Sequence, residues 1–312
     1  MLHLRVVSPA DVTDQVCAAL RDRPGVAHLA VLRGVAVQPE GDMVEADVAR
    51  ECVDDLLADL SALGVDHTGG ITLEPLDTVL SDAADAAEEA APGDGQDAVV
   101  WDELVTRTGE DSRLSGAFLA FLTIACLLAA IGAVTNSPVT VIGAMVLGPE
   151  FGPLAAVSVG IVLRRRDLAR RGAVALGIGF LAAMVVTGLA TLLFDGLGLM
   201  NSADLDSLDQ VDFIYEVGWF SLIVALLAGA AGMLSLTSAR SSALVGVFIS
   251  IATVPAAAFA SVAAVEGRWT EAGLSVAQLL INIVGVVVAA SAVLYGARRK
   301  GRPGPDRPLS EG

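Results

Sequence analysis

The chain has 312 residues, 54% of them apolar, and a mean hydropathy of +0.67. Its net charge of −17 is held by residues 1–114, with 24 of the 36 acidic and 7 of the 19 basic side chains; the remainder balances at 12 against 12. An acidic hydrophilic unit excludes a nucleic-acid binder, which neutralises phosphates with Lys and Arg, and apolar runs of about 20 residues mark a polytopic membrane protein.

No basic stretch followed by an apolar core stands after Met1, so a cleaved signal peptide is not expected and the first unit is expected to be cytoplasmic. "LHLRVVS" alternates as a strand does, and "PADVTDQVCAALRD" has helical spacing through Val12, Val16, Ala19 and Leu20. "VAHLAVLRGVAV" and "DMVEADVAR" read as strands joined by the turn "QPEGD". "ECVDDLLADLSALGV" places Val53, Leu56, Leu57 and Leu60 on one helical face, and "GITLEPLDTVL" supplies a fourth strand. The order βαββαβ over residues 1–80 predicts a ferredoxin-like α+β domain, a fold that names no ligand. His3, His28 and His67 are scattered, and Cys17, Cys52 and Cys126 lack metal or redox spacing, so neither cofactor nor metal is expected.

Residues 81–113 read as an acidic linker, partly helical at most, ending in an amphipathic helix with Val99, Trp101, Leu104 and Val105. Trp101 suits either the bilayer interface or packing on the small domain. Residues 114–297 carry six apolar segments centred near residues 125, 150, 183, 227, 253 and 285. "RRRDLARR" between the second and third, and the basic tail 298–312, place both termini in the cytoplasm of a multi-pass inner-membrane protein. The loop "DGLGLMNSADLDSLDQVDFIYEVG" is then outside. Segments one to three and four to six are offset by roughly 102 to 103 residues, which predicts a 3+3 inverted repeat like that of many secondary transporters.

"NSPVTVIGAMVLGPEFGPL", residues 136–154, puts two expected helix breaks and a glutamate inside the second segment. Gly148, Pro149, Gly152 and Pro153 form the breaks, and Pro255 interrupts the fifth segment. Freed backbone groups are tolerated at that depth only where protein or a water-filled cavity receives them. A charged side chain there is costly by about 3 kcal/mol and usually faces an ion or proton path, so Glu150 is the leading pathway residue. Asn136, at the first outer turn, and Asn282, beside Gln278 in the sixth segment, are further candidates. The opposing reading makes Glu150 a helix cap or a water-exposed turn residue. Single hydroxyls such as Ser221, Ser235, Thr237, Ser250 and Thr253 read as interhelical packing.

The same stretch, with "DSRLSGAFLAFLTIACLLAAIGAVT" before it, resembles the bacterial membrane family catalogued as domain of unknown function 389. Asn136-Ser137, Gly143-Ala144-Met145, Pro149 and Gly152-Pro153 carry the resemblance. It implies no assigned activity. It also implies an apolar residue in many relatives at the position of Glu150, so the carboxylate would serve this branch.

These residues predict a transporter or channel-like protein for an unidentified small solute or ion, regulated by its N-terminal domain, in the lipid bilayer and as a homo-oligomer. The alternative is a membrane-anchored sensor or scaffold. No HExxH, GxSxG or Walker A pattern occurs, so an enzyme is not expected.

Overall fold

A computed structural model describes residues 1–21, 23–76, 78–91, 99–198, 219–237 and 245–300, with backbone alone at 245–252 and Lys300. The acidic loop at 199–218, linker residues 92–98, the tail from 301 and the Ser250 side chain lie outside the described residues. The chain divides into two compact units, Met1–Glu103 and Leu104–Gly312.

In the first unit, strands β1 (Leu2–Ser8), β2 (Val26–Val37), β3 (Glu40–Val48) and β4 (Gly70–Pro75) form one antiparallel sheet in the order β2-β3-β1-β4. The period-two pattern decides which face is covered: Leu2, Leu4, Val6 and Ser8 of β1 are buried, and the residues between them are half-buried. Helices α1 (Thr13–Arg21) and α2 (Val53–Ala62) supply Val16, Leu20, Val53, Leu56 and Leu60 to the same core. A short helix α3 (Val65–Thr68) leads into β4. The helices and strands thus fall where the alternation places them. The linker is more ordered than its composition suggests. Ser81 caps helix α4 (Asp82–Ala90), which packs on β2 through buried Ala84 and Ala87, and the Met1 amine pairs with Glu88 at 2.9 Å. Alanine gives a helix a small apolar face that acidic composition hides. Trp101 begins helix α5 (Trp101–Asp111), and its N–H donates to Asp54 Oδ1 at 3.1 Å within this unit.

The second unit holds α6 (Gly116–Val134), α7 (Pro138–Leu147), α8 (Phe151–Val162), α9 (Arg166–Gly196), α10 (Trp219–Thr237), α11 (Val245–Val265) and α12 (Trp269–Lys300). Ser115 and Ser137 cap α6 and α7 by accepting the N–H groups of Phe118 and Thr140. Four helices, α6, α9, α10 and α12, are long and apolar enough to cross a membrane, and the bent pair α7 and α8 makes a fifth crossing if counted as one span. The remaining expected segment, the fifth, is α11, 21 residues long, of which only Thr253–Val265 carries described side chains throughout. Large apolar residues point outward along α9: Leu181, Val185, Leu189 and Leu193 are 54–66% exposed. Water would not tolerate that stripe, and lipid would; the protein is a membrane protein.

The interior is built from small residues instead. Ala256, Ala257, Ala258, Ala260 and Ala263 of α11 are buried, and α11 packs on α6, α7, α9 and α12. Helix ends recur at one interval. Val162 and Val265, and Arg166 and Trp269, are each separated by the same 103 residues that separate Glu150 from Thr253. Arg164 and Gly267, which close α8 and α11 with φ values of 58° and 76°, keep that interval too.

Two expected breaks need correction. Pro153 does not interrupt a helix: it lies in the first turn of α8, where its missing N–H would have no intrahelical acceptor. The break is the single turn Gly148–Glu150, with a bend of 53° between α7 and α8. Pro255 lies inside α11, which continues through it. A proline can be carried in an apolar helix when neighbouring packing holds the turn.

Close helix contact at Gly229 is testable. A Cβ there would stand 2.5 Å from the Val286 carbonyl oxygen and 2.7 Å from its Cα, so α10 and α12 would have to part. Gly229→Ala should lower thermal stability in detergent by about 2 kcal/mol, in the range for overpacked cores. Gly273→Ala in α12 meets nothing within 4 Å and should be neutral or stabilising by up to ~1 kcal/mol.

Candidate functional site

Glu150 stands where the sequence directs attention, at the α7–α8 break. Gly148 ends α7 in extended conformation, Pro149 cannot continue it, and α8 begins at Phe151. Glu150 is the residue before α8, yet its side chain makes no capping bond to that helix. It is fully buried, and Thr253 Oγ1 of α11, also fully buried, donates to Glu150 Oε1 at 2.6 Å. A carboxylate in an apolar interior requires such a donor, because desolvation otherwise disfavours its charged form. Cys126, midway along α6, lies within electrostatic reach of the same carboxylate. The break therefore faces the centre of α6 and the segment of α11 two residues before Pro255.

Of the residues expected to share a pathway, only Glu150 occupies this position on the described contacts. Asn136 sits in the turn between α6 and α7 with φ 49°, its N–H bonded to the Ala133 carbonyl at 3.1 Å. Asn282 is fully buried on α12, where its Oδ1 accepts from Ser221 of α10 at 3.2 Å. Gln278 Nε2 donates in turn to Ser221 Oγ. Ser221 thus joins two helices, as packing hydroxyls do, whereas Thr237 donates to the Met233 and Leu234 carbonyls of its own helix at 2.9 and 3.2 Å. Thr253, counted among the packing hydroxyls, is the partner of Glu150. The recurring interval of 103 residues is the signal that pairs them in the sequence.

A cleft of about 460 Å³ adjoins the break, lined by Glu110, Asp111, Arg113, Ser115, Phe118, Phe121, Pro149 and Gly152. Its charged side chains come from the end of α5 and the α5–α6 turn, and its apolar ones from α6 and the break. Gly152 is required there: a Cβ would stand 2.6 Å from Asp111 Cβ and 2.9 Å from its carbonyl oxygen. Burial pushes the Asp111 carboxyl above its ordinary value, against the opposing pull of Arg107.

The first unit holds a cluster that single-residue reading missed. His3 Nδ1 meets Asp47 Oδ1 at 2.8 Å, His28 Nδ1 meets Asp47 Oδ2 at 2.7 Å, and His28 Nε2 meets Ser81 Oγ at 2.8 Å. These two histidines are therefore not scattered: β1 and β2 flank β3 and bring them to one carboxylate. Burial would raise the Asp47 pKa, but the bonds and charges of His28 and His3 outweigh it and hold it below its ordinary value. No group of three or more acidic, His or Cys residues suited to a metal occurs among the described residues.

Comparison with known proteins agrees with the resemblance read from the sequence. Residues 145–288 match the family described as a domain of unknown function, DUF389. This stretch is similar to that domain. It begins within α7 and includes the break, Glu150, Thr253, Gln278 and Asn282. The chain is also 25% identical over 211 residues to an uncharacterized protein of Methanocaldococcus jannaschii, a match covering 67% of this chain and 63% of the relative. No solved structure matches the chain.

Asp54 gives a pH test of the first unit. Burial pushes its carboxyl up to about 6, with Asp102 and Asp55 adding to the shift and the Trp101 N–H opposing it. A folded-state value above the unfolded one means that this group's stability is complete below about pH 4 and is lost as the pH rises through about 6. Asp54→Asn keeps an acceptor for Trp101 without the charge. It should stabilise the unit by ~1 kcal/mol at pH 7.5, discounted for partial exposure, and by nothing at pH 4, read as Tm and as exchange protection of the Trp101 amide.

Proposed function

We propose that this chain is a transporter or channel-like membrane protein in which Glu150 is a proton- or cation-coupling carboxylate. The observation that carries this reading is the buried Glu150–Thr253 pair, which joins a broken helix of the first three-helix group to α11 of the second. A break, a buried carboxylate and an adjoining cleft are the parts a membrane protein uses to expose an ionisable group alternately. Charge burial without a role would be a standing penalty that any apolar residue would avoid.

The finer architecture follows the same reading. Helices α6 to α9 and α10 to α12 form two halves of a 3+3 inverted repeat with six spans, α7 and α8 together making the second. The shared interval of 103 residues at two pairs of helix ends and at the Glu150–Thr253 contact supports the correspondence. An odd number of crossings per half sets the halves in opposite directions. Arg164 and Arg165 between α8 and α9, with Arg166, Arg170 and Arg171 at the start of α9, favour a cytoplasmic position for that turn, and hence for both termini of an inner-membrane protein. The strand order β2-β3-β1-β4 with two covering helices supports a ferredoxin-like first unit, which we assign as the regulatory module.

Purified protein in liposomes carrying an internal pH-sensitive dye tests the assignment. A pH jump should drive proton flux through the wild-type protein, and Glu150→Gln should reduce it by at least tenfold while thermal stability holds or rises. Thr253→Val should also reduce the flux, because the carboxylate loses its hydroxyl donor. Wild-type flux that Glu150→Gln leaves intact would remove the coupling role, and the sensor or scaffold reading would then lead.

A further inference from the structure

Helix α12 carries a second polar device, away from the break. Glu271, Ser275, Gln278 and Asn282 follow one another at intervals of four, three and four residues, so they share one helical face. From Glu271 to Asn282 that face rises about 16 Å, roughly half of a ~30 Å hydrocarbon layer. Ser275 and Asn282 are fully buried, and Gln278 is 3% exposed. Glu271 stands at the start of the helix, where Arg268 pairs with its Oε1 at 2.7 Å. Ser221 of α10 closes the inner end by taking the Gln278 amide N–H and donating to Asn282.

Three oxygens remain buried on this face without a hydrogen-bond partner among the described residues: Glu271 Oε2, Ser275 Oγ and Gln278 Oε1. Orphaned buried polar atoms are expensive, and three in succession on one helical face call for a ligand that supplies positive charge or donors. Helix packing does not explain them. At the interval of 103 residues the corresponding positions are Leu168, Gly172, Ala175 and Gly179 of α9, with Phe118 of α6 in the place of Ser221. There the Phe118 ring packs directly on Gly179, where a Cβ would stand 2.7 Å from it. The same contact between the corresponding helices is thus made with no polar side chain at all. This comparison rests on the repeat described above; the orphaned oxygens do not.

We propose that Glu271, Ser275 and Gln278 form a binding site for an alkali-metal cation, with Ser221 and Asn282 fixing the Gln278 amide so that its oxygen faces the ion. Oxygen-only donors suit hard cations rather than transition metals, which prefer nitrogen or sulfur. One carboxylate, already shared with Arg268, balances a single charge better than two. The site enters α12 at Trp269 and Arg268, opposite in the repeat to the α8–α9 turn. It shares no residue with the cleft beside Pro149 and Gly152.

Thermal unfolding of the full chain in detergent tests this directly. Titrations with NaCl and KCl are compared with choline chloride at equal ionic strength, so that screening is held constant. One of the two metal salts should raise Tm saturably, and choline should not. Gln278→Leu should abolish that rise, whereas Gln278→Glu should move its midpoint about tenfold lower in concentration by adding a charged ligand. The readout is cation binding at equilibrium and not flux, so a failure of the coupling role of Glu150 is read separately from a failure of this site. No metal-specific rise in the wild type, or one that both Gln278 variants leave alone, overturns the proposal.

Discussion

A carboxylate with no exposure inside an apolar bundle is the constraint on which the second unit turns. Glu150 is reachable by a hydroxyl only because three local features coincide. Gly148 and Pro149 end α7 short of a full crossing, which turns the next peptide groups inward. Gly152 lets the end of α5 lie against the first turn of α8, and the small side chains of α11 bring Thr253 close enough to donate at 2.6 Å. Replace any of these with a bulky residue and the carboxylate loses either its position or its donor. The broken helix is thus the means by which an ionisable group is held in the interior.

That arrangement needs close backbones, and close backbones explain the composition. Where hydrocarbon surrounds a bundle, apolar side chains gain nothing by turning inward, so association rests on contact and hydrogen bonding. Gly132 against Val141, Gly160 against Ala169, Gly172 against Pro153 and Gly229 against Val286 are each positions where a Cβ would collide. Large residues accordingly face outward, and alanine and glycine fill the interior. Arg298 then ties the end of α12 to α8 by donating to the Val162 carbonyl, one of the groups a helix C-terminus leaves open.

Much of this was legible in the sequence, for physical reasons that also mark its limits. Period-two alternation in "LHLRVVS" and helical spacing in "ECVDDLLADLSALGV" report burial on one side, and the sheet and its helices follow them. Apolar length reports a span, so the segments near 125, 183, 227 and 285 emerged as helices, and Glu150 stood out as a charge where none is cheap. Proline was less informative. Its effect depends on position within a helix, so Pro153 in a first turn and Pro255 in a packed interior look alike in a string of letters. Contacts across the fold were the least legible. His3 and His28 are 25 positions apart and meet only because β1 and β2 lie on either side of Asp47. Ser81 joins them because an alanine face docks an acidic helix that composition alone assigns to a linker.

The two groups of three helices also divide their polarity unequally, and this bears on mechanism. The first has a broken middle helix and an apolar contact between α6 and α9; the second has a continuous α11 and a polar contact between α10 and α12. Were polar groups present only to glue helices together, each group would carry its own share at matching positions. Instead the carboxylate and the break belong to one, and the row of oxygens from Glu271 to Asn282 belongs to the other. Glu150 and Thr253 occupy matching positions and touch, so the point where the groups meet is also the point where their chemistry differs. The coupling role proposed for Glu150 would draw on that asymmetry, since a carboxylate at a break and a row of oxygens offer an ion two unlike sites.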